Sequence, residues 1–484
     1  MISNLYWIKS PNKILEKQDE EILFNPDNLA CVRIKSAKKV KSILKKYYKK
    51  RILNKKEMTI INKLVDCGVI IDIKPSISNS ATNFFNEINR KPNGKNFYNN
   101  SCDKADQFFT IYLLVSQICN LSCVYCYAGE GNYGDKSLMS ESTADNIIAN
   151  MLFFMKKNQR RKVRILFFGG EPLLNFSLIK LIVKKLDQIA ILNSYEFIYA
   201  LTTNFTNVSE EILEFIHVNI KELLISLDGF TIEQNSARLY NNGCDSTAAV
   251  LKNLERVDQL GIRYGIRVTV HAKNLKDLPE IVNYFIAKEN ITELDLIPVS
   301  PWDCNGNIIS KELMPDITKY ILQLQKIFKN SLNNLYKIAP FSVFLKQIEF
   351  GKRKVTCGAL AGNTIAVTTD GSIYPCSNMV GINKLRLGHI NEPIENAVEK
   401  VNFTLKKEIE FIIHTKKCDK CIYLSLCYGQ CALNPLMSEF DFYIPTYAMQ
   451  YWSNILCAQA KTSIELGLWA LSEGIKGWNN KTIL

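Results

Sequence analysis

The run FTIYLLVSQICNLSCVYC, residues 109–126, decides how the rest of the chain is read. Its first half is almost continuously apolar and rich in β-branched and aromatic residues. That is the signature of a strand buried on both faces of a parallel sheet. Its second half places Cys119, Cys123 and Cys126 in one short loop just past the strand. In α/β barrels, active sites lie at such C-terminal strand ends.

Downstream, the same strand pattern recurs at 163–168, 196–203, 222–226, 264–270 and 293–298. Helical stretches separate the strands, for example 142–157 and 178–190. Six strand-then-helix repeats predict a parallel, barrel-like α/β domain over 106–310. A helical bridge is expected over 311–350. Residues 351–465 break the alternation and hold most of the remaining cysteines, and 466–484 reads as a C-terminal tail.

Upstream, 76–105 has the Asn- and Ser-rich composition of a linker. Residues 1–75 read as a separate small domain. Strand candidates at 22–25 and 30–34 precede two helices, marked by Val40, Ile43, Leu44 and Tyr47 and by Met58, Ile61, Leu64 and Val65. A further strand is expected at 69–73. Strands with two packed helices suggest a winged helix-turn-helix shape.

The chain has 484 residues, 47% of them hydrophobic and 22% charged, which is ordinary globular composition. No apolar run has the length of a membrane span, and the first residues lack a signal-peptide core, so a cytoplasmic location is expected. The net charge of +13 favours an acidic or phosphate-bearing partner, although freely used surface lysine produces the same balance. Fifteen cysteines in a reducing compartment read as metal ligands or catalysts. The four histidines, His217, His271, His389 and His414, have no zinc-ligand spacing.

Three thiolates in one loop can hold three irons of a [4Fe–4S] cluster and leave the fourth open to a ligand. With its Tyr125, the C-x-x-x-C-x-Tyr-C loop resembles the signature of the radical S-adenosylmethionine (SAM) superfamily. Other strand ends agree. Gly169-Gly170-Glu171-Pro172 resembles the family's GGEP stretch, which receives the SAM amino group. Thr203-Asn204 stands where the family has Thr-Asn-Gly, with Phe205 replacing the glycine. Ser226 and Asp228 match the ribose-side Ser-x-Asp-Gly, and Arg267 is a candidate for the SAM carboxylate or a barrel-lining charge. The resemblance implies SAM cleavage by Cys119, Cys123 and Cys126 acting through their cluster. The G-x-G-x-x-G at 129–134 follows no strand, so a nicotinamide site is not expected.

The C-terminal cysteines run Cys357, Cys376, Cys418, Cys421, Cys427, Cys431 and Cys457. Seven thiols without histidine are too many for one zinc. Their order resembles the SPASM domain of peptide-modifying radical SAM enzymes, which holds two auxiliary [4Fe–4S] clusters. By that resemblance Cys357, Cys376 and Cys431 hold the first, and Cys418, Cys421, Cys427 and Cys457 the second. The implied cofactors are SAM and three [4Fe–4S] clusters. The first auxiliary set has three local thiolates, which would leave one iron open to a substrate cysteine thiolate; the alternative is a fourth ligand from elsewhere, with Cys304 the nearest candidate. Ser377 stands where sulfatase-maturing relatives usually carry Asp. Cys31, Cys67, Cys102, Cys244 and Cys304 are otherwise unassigned, and the aromatic stretch 440–452 reads as core.

The whole is identified as α/β: a partial (β/α)6 radical SAM barrel with an N-terminal winged helix-turn-helix-like domain and a C-terminal cysteine-rich SPASM domain. The first domain resembles the RiPP recognition element, which captures a leader peptide at its sheet edge. Its first helix is strongly basic, with Lys38, Lys39, Lys41, Lys45, Lys46, Lys49, Lys50 and Arg51 in or beside it. The expected activity is oxidative thioether formation in a ribosomally made precursor peptide, as in sactipeptide or bacteriocin biosynthesis. Its partners would be that precursor, with its leader, and an electron donor such as ferredoxin or flavodoxin, with no nucleic acid and no membrane span. Alternatives are a carbon–carbon crosslinking or epimerising maturase and, from another class, an iron–sulfur DNA-binding redox sensor.

Overall fold

The structure is a computed structural model that describes residues 6–9, 20–26, 29–49, 51–67, 69–70, 109–349, 357–359, 362–400, 418, 421–427, 431, 443–472 and 482–483. The expected linker at 76–105, Cys102, most of the 69–73 strand and residues 440–442 of the aromatic stretch lie outside them.

The chain begins with strands β1 (Tyr6–Lys9), β2 (Glu21–Asn25) and β3 (Ala30–Ile34), an antiparallel meander. Helices α1 (Ala37–Tyr48) and α2 (Lys55–Asp66) follow. Asn54 starts α2 with a capping box: its side chain accepts from Glu57 N while the Glu57 carboxylate accepts from Asn54 N. Leu23, Val32 and Ile34 face these helices in one core. Ile22, Phe24 and Cys31, on the opposite face, join the core of the main body.

The main body alternates as expected. Its strands are β4 (Phe109–Ser116), β5 (Lys162–Gly169), β6 (Glu196–Thr203), β7 (Glu222–Ser226), β8 (Tyr264–Val270) and β9 (Ile291–Pro298). Helices α3 (Glu141–Lys157), α4 (Phe176–Asn193), α5 (Glu210–Asn219), α6 (Thr247–Gln259) and α7 (Leu278–Ile286) lie between them. Every neighbouring strand pair from β4 to β9 is parallel, as β–α–β crossovers require. α8 (Ile317–Asn330) leads to β10 (Ile338–Ala339), which extends the sheet beyond β9, and to α9 (Phe341–Glu349).

The cysteine-rich region does not stand apart. Its strand β11 (Thr364–Val367) pairs in parallel with β4, and β12 (Ser372–Tyr374) and β13 (Gly388–His389) continue the ladder. The sheet therefore runs β10-β9-β8-β7-β6-β5-β4-β11-β12-β13. α10 (Leu424–Cys427) precedes the long α11 (Thr446–Ser472). Residues 466–472 are not the tail expected from the sequence. Leu468, Trp469, Ala470 and Leu471 are fully buried in the last turns of α11, because the helix packs on α8 and α9. The final strand, β14 (Thr482–Ile483), joins β3. No described helix is long and apolar enough to cross a membrane.

Candidate active site

The loop after β4 is pinned at both ends. Gln117 donates from Nε2 to Asn132 O, and its Oε1 accepts from Thr369 N, tying the cysteine loop to the cysteine-rich region. Ser122 N and Val124 N donate to Leu239 O and Ala237 O of the loop after β7. This places Cys119, Cys123 and Cys126, each half-buried, on the wall of one cavity of about 670 Å³. Burial pushes the Cys119 thiol up to about 12 and the Cys123 thiol up to about 11. Three thiols on one cavity wall are the donor type an iron–sulfur cluster takes, although among the described residues they are not drawn into a ready metal site.

The turn after β5 presses against this loop. Gly170 N and Glu171 N donate to Ser116 O and Ile118 O at 2.8 and 2.9 Å. A Cβ on Gly169, whose φ is +130°, would lie 2.0 Å from Ser116 O, and one on Gly170 would lie 2.5 Å from Gly131 O. Both glycines line the cavity. Glu171 does not. Its carboxylate is buried and accepts from Thr203 Oγ1, Asn204 N and Leu173 N, so it locks the β5 turn to the end of β6. Pro172, also buried, opens the 3-10 turn that follows.

At the β6 end, Asn204 lines the cavity and donates from Nδ2 to Asn120 Oδ1 at 2.9 Å. Phe205 adopts φ +57° and is fully buried. The left-handed turn survives without glycine; the Phe205 carbonyl accepts from Asn253 Nδ2 at 2.9 Å.

Ser226 lines the cavity, whereas Asp228 lies wholly behind the wall. Asp228 accepts from Tyr125 Oη and from Thr269 N. Tyr125 Oη in turn accepts from Arg238 Nη1 at 2.8 Å. Arg238, 8% exposed, lines the cavity among the loop thiols. Sequence reasoning missed Arg238 because it sits mid-loop, away from any strand end. Its only signal is that it follows Asp228 within the same β7–α6 connection. Arg267 lies farther down the barrel wall, with Nε 3.0 Å from Asp295 Oδ2 on β9 and Tyr112 and Tyr127 nearby. His271 is fully buried with Nε2 3.8 Å from Asp228 Oδ2, and neither ring nitrogen has a hydrogen-bond partner.

The cysteine-rich region reaches the same chamber through Ser377, Asn378 and Ile382. Trp302 and Trp452 add an edge-to-face pair, with ring centroids 6.2 Å apart. Cys304 also lines the chamber. Its N donates to Tyr127 O, and its Sγ lies 3.6 Å from where a Cβ on Gly129 would be. Cys376 is half-buried; burial raises its thiol, and Cys357 and Cys431 lie near enough to push it further up. Cys418, Cys421 and Cys427 share one short segment, and Cys457 is exposed on α11.

Residues 113–285 match the family model of the radical SAM superfamily. An uncharacterized protein of Methanocaldococcus jannaschii is 32% identical, over 63% of this chain and 97% of its own. The chain belongs to the radical SAM superfamily, whose members use SAM and a [4Fe–4S] cluster. It is similar to the radical SAM cyclopropyl synthase TigE of Paramaledivibacter caminithermalis, at 21% identity over 69% of each chain. It is also similar to a cysteine-type anaerobic sulfatase-maturating enzyme of Clostridium novyi, at 24% identity over 72% of this chain and 92% of that one. The solved structure of native anSMEcpe with bound AdoMet and Cp18Cys peptide shares the fold, with a TM-score of 0.61, 22% identity, and coverage of 74% of this chain and 98% of that one.

Proposed function

We propose that this enzyme forms cysteine thioether crosslinks in a ribosomally made precursor peptide, in the cytoplasm, with a ferredoxin or flavodoxin as electron donor. The observation that carries the reading is the shared chamber. The cysteine loop of the barrel and the turn after Cys376 line one cavity because β11 is stitched onto β4. A substrate held there touches both.

When bound, SAM and its cluster supply the abstraction of a hydrogen atom, and auxiliary clusters supply an acceptor for the remaining electron. Cys119, Cys123 and Cys126 would hold the SAM cluster. Cys357, Cys376 and Cys431 would hold one auxiliary cluster, and Cys418, Cys421, Cys427 and Cys457 the other. Arg238, oriented by Tyr125 and indirectly by Asp228, offers a guanidinium to the SAM carboxylate. Gly169 and Gly170 let the ligand approach bare backbone. Trp302, Trp452 and Ile382 exclude water from the reacting carbon. Ser377 carries no carboxylate base, which favours bond formation to sulfur over the sulfatase-type oxidation. The N-terminal domain, with its basic α1, would recruit the leader.

The deciding experiment is the exact mass of a short peptide encoded beside the gene, co-expressed with the enzyme without oxygen. Loss of two hydrogens per link, with cysteines no longer alkylated, is expected. An unchanged mass with every cysteine alkylatable would overturn thioether formation.

One observation favours a second reading, epimerisation. Burial keeps the Cys304 thiol protonated, pushed up to about 12, in the chamber wall. Such a thiol can return a hydrogen atom to a peptide carbon, its sulfur then taking one electron from the reductant and one proton. Deuterium uptake in heavy water at constant bond count, lost in Cys304→Ala, would establish it.

A further inference from the structure

We propose that Arg267 and the Tyr112 hydroxyl beside it hold a carboxylate of the substrate peptide, the side chain of an Asp or Glu near the reacting residue. The inference deepens the peptide-substrate reading and rests on it for the identity of the occupant.

Arg267 is on β8 and lines the chamber. Its Nε donates to Asp295 Oδ2, and among the described residues Asp295 is its one hydrogen-bond partner. Nη1 and Nη2 are left over. A guanidinium spent on a structural pair commits two of its nitrogens to one carboxylate, as Arg164 commits Nε and Nη2 to Glu222. Arg267 does not. Its side chain stays 33% accessible although it lies inside the barrel, so the unspent nitrogens meet the chamber.

Two phenols stand beside this guanidinium, Tyr127 and Tyr112. Tyr127 Oη is engaged with Tyr133 Oη at 3.0 Å. Tyr112, on β4, lines the chamber, and its hydroxyl has no hydrogen-bond partner among the described residues. Burial pushes the Tyr112 phenol up, so it stays protonated and can donate. A free guanidinium edge and a free hydroxyl side by side are a donor set for an anion, and a planar carboxylate matches it.

The carboxylates already in the chamber wall do not fill the site. Glu222 is spent on Arg164. Asp303 accepts from Asn305 N, Asn307 N and Asn307 Nδ2. Burial and the nearby Asp295 push the Glu293 carboxyl up, away from its charged form.

Two guanidiniums in one chamber can divide two carboxylates between them. Arg238 stands beside Tyr125 and Cys123 of the SAM loop. Tyr112 instead has Cys376 and Cys357 of the cysteine-rich region among its neighbours. The Arg267 site thus belongs to the side of the chamber where the peptide, rather than SAM, is held. An acidic side chain anchored there fixes which neighbouring carbon is presented for reaction.

The test uses the holoenzyme with SAM bound and the short peptide encoded beside the gene, fluorescently labelled at its N-terminus. Each Asp and Glu of the peptide is changed in turn to Asn or Gln, and one further form carries an amidated C-terminus. Binding is followed by anisotropy in the intact enzyme, Arg267→Gln and Tyr112→Phe. In the intact enzyme the amide form at one acidic position should bind at least tenfold more weakly. Arg267→Gln should bind the unaltered peptide at least tenfold more weakly and no longer distinguish acid from amide at that position. Tyr112→Phe, which leaves the ion pair with Asp295 in place, should cut the discrimination at least threefold, and it decides the matter where Arg267→Gln loses iron or stability. SAM affinity by calorimetry should stay within threefold in both variants. A tenfold loss of SAM affinity in Arg267→Gln would give the guanidinium to SAM and overturn the proposal. Equal discrimination by all three enzymes, no acidic position that matters, or an effect confined to the amidated terminus would overturn it too. The mass shift of the unaltered peptide is read in parallel with the intact enzyme, so a peptide that gains its links without such an acidic residue sinks this site and leaves the maturase reading standing.

Discussion

Two sheets in this molecule each accept a parallel strand from a distant part of the chain, and they do so on very different terms. β4 accepts β11 over four paired residues, with Ile365, Ala366 and Val367 fully buried and a hairpin partner beyond. β3 accepts β14 over two. The first seam fuses the cysteine-rich region to the barrel and builds the chamber. The first seam is marked by its buried residues and by the hairpin that continues it.

The sharpest attempt to break this comparison is Ile365→Asp, an unpaired charge in the buried seam. We expect a loss of about 4 kcal/mol or more, read as a collapsed melting transition and depleted iron. Retention of full iron and stability would mean the joint lies elsewhere. Next is Gly170→Ala, whose Cβ would meet two backbone oxygens. A tenfold or greater loss of SAM affinity is expected by calorimetry, with the small domain unaffected.

Arg238→Met should weaken SAM binding by about 1.5–3 kcal/mol, the range for a hydrogen bond to a charged group. Arg267→Met should weaken it less, because that guanidinium is engaged by Asp295. Equal effects would restore Arg267 as the carboxylate partner. Phe205→Gly relieves a left-handed residue but removes a buried ring, so a net destabilisation of about 2–4 kcal/mol is expected in a denaturant titration. The smallest effect belongs to Thr482→Pro/Ile483→Pro, within about 0.5 kcal/mol by the same titration. A larger loss would make β14 a structural strand like β11.

The barrel was legible because its signals are local. Continuous apolar strands at 109–116 and 163–168 and the helices between them follow from side-chain periodicity alone. The glycines at 169 and 170 were read through their resemblance to a family motif, and the structure supplies the reason, since a Cβ on either would meet backbone. Glu171 and Asp228 were less so. Both match a family motif, yet the fold buries them as braces behind the wall. Phe205 shows the converse: a missing glycine did not cancel the turn, because burial and the Asn253 hydrogen bond hold the strained residue.

The sequence by itself determined the strand–helix alternation and the loop of three thiols, because periodicity and residue chemistry act within a few positions. Only the tertiary structure decided that Arg238 enters the chamber, that β11 joins β4 and that β14 joins β3. Each of those depends on segments far apart in the chain meeting at an edge or in a loop, and pairing of that kind leaves no local pattern to read.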